Sequence, residues 1–357
     1  MMGDDAVRRS LVRLTLLPGW LVLGAVATLG VLRAVVAPDL ALPRSYQFLP
    51  LVASAVVLGL PHGAIDHLTP ARARGRQATL SDMSRVGLLY AAVGGLYALL
   101  WFLAPAAAFV VFILVTWLHW GQGEVHALGA VAAVDHLRTP AQRALTALAR
   151  GTLPMLVPLV AFPGEYRFVA ESLIGLFGGS LGPLTVAFTT TGRAVVAALV
   201  AGLLLSMLAV GYLRADHGPD GPNRGWLLDA GEVGLLVAFF GLVEPILAVG
   251  LYFTCWHALR HVGRLLALDP PARDALAAGD NAGALARFAR DAAPLTLASL
   301  LLLGILAALV PASPAGLAEL VALYLVLIAA LTAPHVLVVT HLDRTQAVWT
   351  RGVMGLT

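Results

Sequence analysis

Ten histidines occur in the 357 residues, and eight of them fall in four short stretches: "PHGAIDHL", "LHWGQGEVHAL", "WHALRH" and "PHVLVVTHLD". A neutral imidazole suits iron, zinc, copper or nickel, whereas magnesium and calcium prefer oxygen ligands. His257 and His261 are four residues apart, so on a helix they share one face and both reach a single ion. His62 and Asp66 have the same spacing, which types the aspartate as the partner of an imidazole's second nitrogen rather than as a ligand. One histidine near a helix end is ordinarily a satisfied interfacial residue. Four clusters that coincide in depth argue for a metal centre.

Whether they coincide depends on the elements that carry them. The chain is 59% hydrophobic and 12% charged, where a soluble domain has about a quarter of its residues charged. It reads as an integral membrane protein, all-α, one polytopic helix bundle forming a single domain over 1–357. Ten apolar runs are long enough to cross roughly 30 Å of hydrocarbon: 16–36, 46–68, 84–103, 105–128, 143–163, 191–213, 227–243, 245–263, 292–312 and 316–342. The glycine-rich stretch 164–190 is expected to lie at the interface or re-enter rather than span. The runs are too long for strands of a membrane barrel. The basic residues before the first run read with it as a retained anchor rather than a cleaved signal.

Arginine orients the bundle, because short cytoplasmic loops are enriched in basic residues. With Arg8, Arg9 and Arg13 inside, the same side holds Arg72, Arg74, Arg76 and Arg85, then Arg138 and Arg143, Arg214 and Arg224, and Arg264, Arg273, Arg287 and Arg290. Both termini are then cytoplasmic, and the net charge of +3 is explained by topology. The arginines form no single basic patch and no nucleic-acid motif is present. On this topology the four histidine clusters all end outward-to-inward helices. His62, His119, His257 and His335 form one layer, about 8–12 Å deep at 1.5 Å per residue.

Other polar groups are weighed against plainer roles. Glu124 and His126 point partly away from His119, and Glu124 is a candidate support of the ligands. His67, His126 and His341 are expected at the aqueous boundary, and His136 and His217 in solvated loops. Asp229 and Glu232 read as helix-start charges, and Glu244 as part of an outer turn. Trp117, Trp120, Tyr252, Phe253 and Trp256 crowd the histidine-bearing helices and are candidates to line an apolar substrate site. The lone Cys255 excludes an intramolecular disulfide.

In order and spacing, "PHGAIDH", "HWGQGE", "WHALRH" and "APHVLVVTHLD" resemble the Brp/Blh family of bacterial and archaeal β-carotene 15,15′-dioxygenases across nearly the whole chain. The resemblance implies a multi-pass enzyme of the cell (inner) membrane that uses non-haem iron, Fe(2+), and O2 to cut β-carotene centrally into two molecules of all-trans-retinal. It also implies iron-coordinating roles for His62, His119, His257 and His261. His335 matches a further family-typical histidine and, with Asp66 and Glu124, is expected to support the ligands. The partners implied are β-carotene, O2 and membrane lipid.

Other classes make different demands. An opsin needs a lysine for its Schiff base, and every basic residue counted beside histidine is arginine. A haem carrier would show a Soret band, and a metal-ion transporter would move metal and form no aldehyde. A membrane di-iron desaturase or hydroxylase ordinarily carries more histidines, including adjacent pairs.

Overall fold

The computed structural model describes residues 2–350 apart from Pro38, Ala41 and Asp220. Among the described residues the named elements are all helical. Nine helices among these residues are long and apolar enough to cross a membrane: Asp4–Val36, Arg44–Ala64, Leu80–Leu103, Pro105–Val131, Pro140–Ala161, Thr190–Arg214, Arg224–Leu242, Asn281–Leu309 and Leu317–Thr345. The tenth expected run, 245–263, does not meet the same standard of apolarity. It is nonetheless continuous helix over 245–268, with a π-helical stretch at Phe253–Ala258. His257, Arg260, His261 and Arg264 all sit on it, which makes it a buried, polar-bearing element. The stretch after residue 163 does not span: a short helix, Pro163–Gly175, is followed by a 3-10 turn, Gly182–Phe188.

The solvent assignment shows in which side chains face out. Leu301 is 72% exposed and Leu205 67%, while Arg150 is 0% exposed. Water would favour the reverse, and hydrocarbon favours this arrangement. Within the bundle, packing is closest between Pro105–His126 and Pro140–Ala161. A Cβ on Gly121 would fall 2.0 Å from the Ala147 carbonyl oxygen, and one on Gly151 2.2 Å from that of Trp117. Small residues let the two backbones meet, and this fixes the helix that carries His119.

The second expected span, 46–68, is not one regular helix. It breaks into Arg44–Gln47, Leu49–Ser54 and Gly59–Ala64. Leu58 has φ +64°, a sparsely populated conformation that costs of order 1–3 kcal/mol for a residue with a Cβ. The next residue has to be glycine, since a Cβ on Gly59 would lie 2.2 Å from the Ser54 carbonyl oxygen. The break stands four residues before His62 and turns the last short helix, with its histidine, into the bundle interior.

Candidate metal centre

Five histidine rings from four segments meet in the interior: His62 from the broken segment, His119 from Pro105–His126, His257 and His261 from 245–268, and His335 from Leu317–Thr345. All five are buried. Ring centroids lie 4.7 Å apart for His119–His257 and for His119–His335. The separations are 5.2 Å for His62–His335, 5.0 Å for His261–His335 and 5.6 Å from His62 to each of His257 and His261. His335 therefore stands inside the cluster, in contact with three of the other four rings, rather than behind it.

Hydrogen bonding settles which nitrogens are left. His62 Nδ1 donates to the Gly59 carbonyl, and His335 Nδ1 donates to Asp66 Oδ2 at 2.7 Å. Each bond places the proton on Nδ1 and leaves a lone pair on Nε2. Asp66 is held in turn by the Tyr90 hydroxyl at 2.6 Å. His119 Nδ1, His261 Nε2, His335 Nε2 and Asp66 Oδ1 are buried without a hydrogen-bond partner, and His119 and His257 point Nε2 atoms at one another across 3.1 Å. Buried polar atoms are almost always paired, and this many open ligand atoms in one place could hold a metal ion. Two overlapping sets have ligand atoms all within 4.8 Å of one another: His62, His119 and His335, and Asp66, His261 and His335.

The Asp66–His335 bond makes a direct prediction. Asp66→Asn keeps the side chain's size but removes the charge that orients the imidazole, and loss of such a partner typically costs about 10–100-fold in metal affinity. Metal titration of the purified variant, read by elemental analysis, checks this; unchanged affinity would show that the bond does not orient His335.

Glu124 makes no hydrogen bond to any of these rings and instead holds Trp256 and Arg260 on the helix of His257 and His261. Five residues past His119, it is rotated by about 140° around the helix and belongs to a second buried cluster. Arg150 donates to Glu124, to Asp229 Oδ1 at 2.7 Å and to Glu232 Oε2 at 2.5 Å. Arg260 reaches Glu232 Oε1 at 2.6 Å and Glu124 Oε2 at 3.2 Å. Asp229 and Glu232 are thus buried ion-pair partners and not helix-start charges. His136 is likewise no solvated loop residue: it is 0% exposed and donates from Nε2 to Asp229 Oδ2 at 3.0 Å. His126 is also buried and not at the aqueous edge. The sequence carried a signal for this cluster in Arg150, a charge inside an otherwise apolar span. Glu244 pairs with Arg33, His217 is exposed, and His67 and His341 are half-buried.

Four of the five aromatic candidates divide between these two sites, and Trp117 belongs to neither. Trp120 and Phe253 line a cavity against the histidines. Trp256 instead donates to Glu124 Oε1 at 2.7 Å and lies 3.8 Å under the Arg260 guanidinium, Tyr252 reaches Glu124 at 3.5 Å, and Trp117 donates to the Leu148 carbonyl. Two cavities meet at the histidines, sharing His62, Phe253, Ile328 and Thr332 as walls. One is a narrow cleft of about 110 Å³ running along the bundle towards Phe48, Tyr166 and Ala318. The other, of about 530 Å³, passes Asp66, Tyr90 and His335 and reaches Gly87, Leu295 and Leu302.

A buried histidine cluster fed by apolar cavities within a membrane bundle invites comparison with known proteins. Residues 53–343 match the family model described as β-carotene 15,15′-dioxygenase. The chain belongs to this family. It is 46% identical over 341 residues to the protein named probable β-carotene 15,15′-dioxygenase Blh of Halobacterium salinarum, covering 96% of this chain and 95% of that one. It is 32% identical over 324 residues to the probable β-carotene 15,15′-dioxygenase Brp of the same organism, covering 87% of each. No solved structure matches. The four histidine-bearing stretches all fall inside the matched family region.

Proposed function

We propose that this family member is an iron-dependent β-carotene 15,15′-dioxygenase that cuts its substrate at the central double bond to give two molecules of all-trans-retinal, with residues 1–357 acting as one catalytic unit. The observation that carries the reading is the set of open imidazole nitrogens at the junction of two apolar cavities. The donors fit a resident metal: neutral nitrogens suit iron, and the second nitrogens of His62 and His335 are already engaged. His62, His119, His257 and His261 are proposed as ligands, and His335, whose Nε2 is open, as a fifth nitrogen donor.

Bound iron supplies the activation of O2. The rest of the chemistry needs little from the protein. One carbon–carbon double bond and the O2 bond break, two carbonyl groups form, and each aldehyde keeps one oxygen atom, so no outside reductant is required. The chain's own contribution is to hold the polyene's centre against the histidines and to keep water away. Phe253 and Trp120 wall the site, and the apolar surround protects reactive oxygen from side reactions. The Asp66 carboxylate, gripped by Tyr90, holds the His335 ring in place.

Both termini are proposed to be cytoplasmic on the arginine distribution of the loops; the last residues, 351–357, lie outside the described part of the chain. The decisive experiment expresses the chain in β-carotene-producing bacteria and measures pigment and product. Bleaching with retinal accumulation, and iron near one atom per purified chain, is the expected result. Unchanged carotene with confirmed expression, or full activity after iron has been replaced by zinc, would overturn it.

A further inference from the structure

We infer that the two cavities are the two arms of one bent substrate site, each seating one half of the symmetric polyene, so that the histidine junction marks the central bond. The inference rests on the proposed β-carotene cleavage and adds to it how the scissile position is chosen. His62, Phe253, Ile328 and Thr332 are walls of both cavities, which makes the junction the one place where a chain occupying both must pass the histidines. The arms differ in direction and width. The axial arm runs towards the end of the bundle opposite the histidines, past Phe109 and Phe168 to Ala318 at the start of Leu317–Thr345. The lateral arm opens between Leu80–Leu89 and Asn281–Leu309.

Its mouth faces lipid: Leu295 is 39% and Leu302 42% exposed, and Gly87 is exposed beside them. A hydrocarbon dissolved in the bilayer reaches such an opening without crossing water. The lateral arm, at about 530 Å³, lies within the usual range of ligand pockets, roughly 300–1,000 Å³. The axial arm, at about 110 Å³, is the more constricted of the two, so a half-molecule seated there is held closely by its aromatic walls. The narrow arm therefore judges the leading half, and the roomy arm accepts the trailing half. A bent site also explains how a metal near one end of the bundle can act on the middle of a long rod.

The test fills each arm separately. A Cβ on Gly87 meets nothing within 4 Å, so Gly87→Phe narrows the lateral arm without straining the backbone; Ser299→Phe on the facing helix fills the same arm independently. Ala318→Phe narrows the axial arm. Two substrates are compared on iron-loaded protein: β-carotene, and an apocarotenal that lacks one ring and the adjoining chain. Each single filling is expected to slow β-carotene cleavage at least about tenfold, a penalty of roughly 1.4 kcal/mol, with iron content unchanged. The truncated substrate, placing its short end in the filled arm, should lose far less. Equal losses for both substrates, or wild-type β-carotene turnover in Gly87→Phe and Ala318→Phe, would overturn the two-arm site. If the unaltered protein forms no retinal, the proposed function fails on its own. Co-purification of β-carotene with the unaltered chain then still decides the arms, since either filling should abolish it if they hold the polyene.

Discussion

His335→Ala is expected to behave like loss of a ligand: retinal formation falls below detection and the purified protein carries well under half the iron of the unaltered chain. The family resemblance left this residue a supporting role, but the ring lies 4.7 Å from His119, 5.0 Å from His261 and 5.2 Å from His62. Its Nδ1 is committed to Asp66, and its Nε2 is buried with no partner. A buried nitrogen left without a hydrogen-bond partner in an apolar interior is open to a metal ion. Removing a residue that merely orients a ligand typically costs about 10–100-fold in metal affinity; removing a donor costs at least as much and leaves a gap that water fills poorly. The comparison runs beside His62→Ala, His119→Ala, His257→Ala and His261→Ala, with iron and retinal measured on each. Retention of both iron and turnover within a fewfold of the unaltered chain would return His335 to the substrate path. Dispensability of any two of the other four would defeat the metal assignment itself.

Arg150→Met is expected to be the most destabilising single substitution outside the histidine cluster. Arg150 and Arg260 lie among three buried carboxylates, Glu124, Asp229 and Glu232, with Trp20 donating to Glu232 at 2.6 Å. Removing one partner of a buried ion pair costs about 3–5 kcal/mol, because the other charges stay buried and uncompensated. Thermal unfolding in a fixed detergent reads this loss. Combining Arg150→Met with Glu124→Gln and Asp229→Asn should recover part of it, which separates charge imbalance from lost packing. His136→Ala, which a solvated loop position would make silent, should also be measurable, at about 1–3 kcal/mol, since Asp229 loses a buried donor. Unfolding indistinguishable from the unaltered chain for Arg150→Met would mean that the cluster opens to water. Iron content is measured in parallel, because Arg260 and Trp256 share the helix of His257 and His261 and tie it to Glu124.

The amino-acid sequence by itself determined the solvent, the helical class and the histidines that meet in the interior. Composition decides the first, because a chain with so little charge cannot cover itself for water. Run length decides the second, because backbone in hydrocarbon must satisfy its own hydrogen bonds. The clustering of eight histidines in four stretches at matching helix depths was also legible, since depth follows from counting residues along a regular helix. Tertiary structure decided everything that depends on rotation about a helix axis or on a departure from regularity. The turn at Leu58 that swings His62 inward has no periodic signature. Whether Glu124 faces the histidines or Arg150, and whether Tyr252 and Trp256 line a cavity or grip a carboxylate, depends on which neighbour each helix face meets. His136 looked solvated because its segment is polar, yet Asp229, ninety-three residues later, draws it inside. The cavities lie furthest from the sequence: a void belongs to no residue, and its shape follows from how four segments of unrelated position fail to fill the space between them.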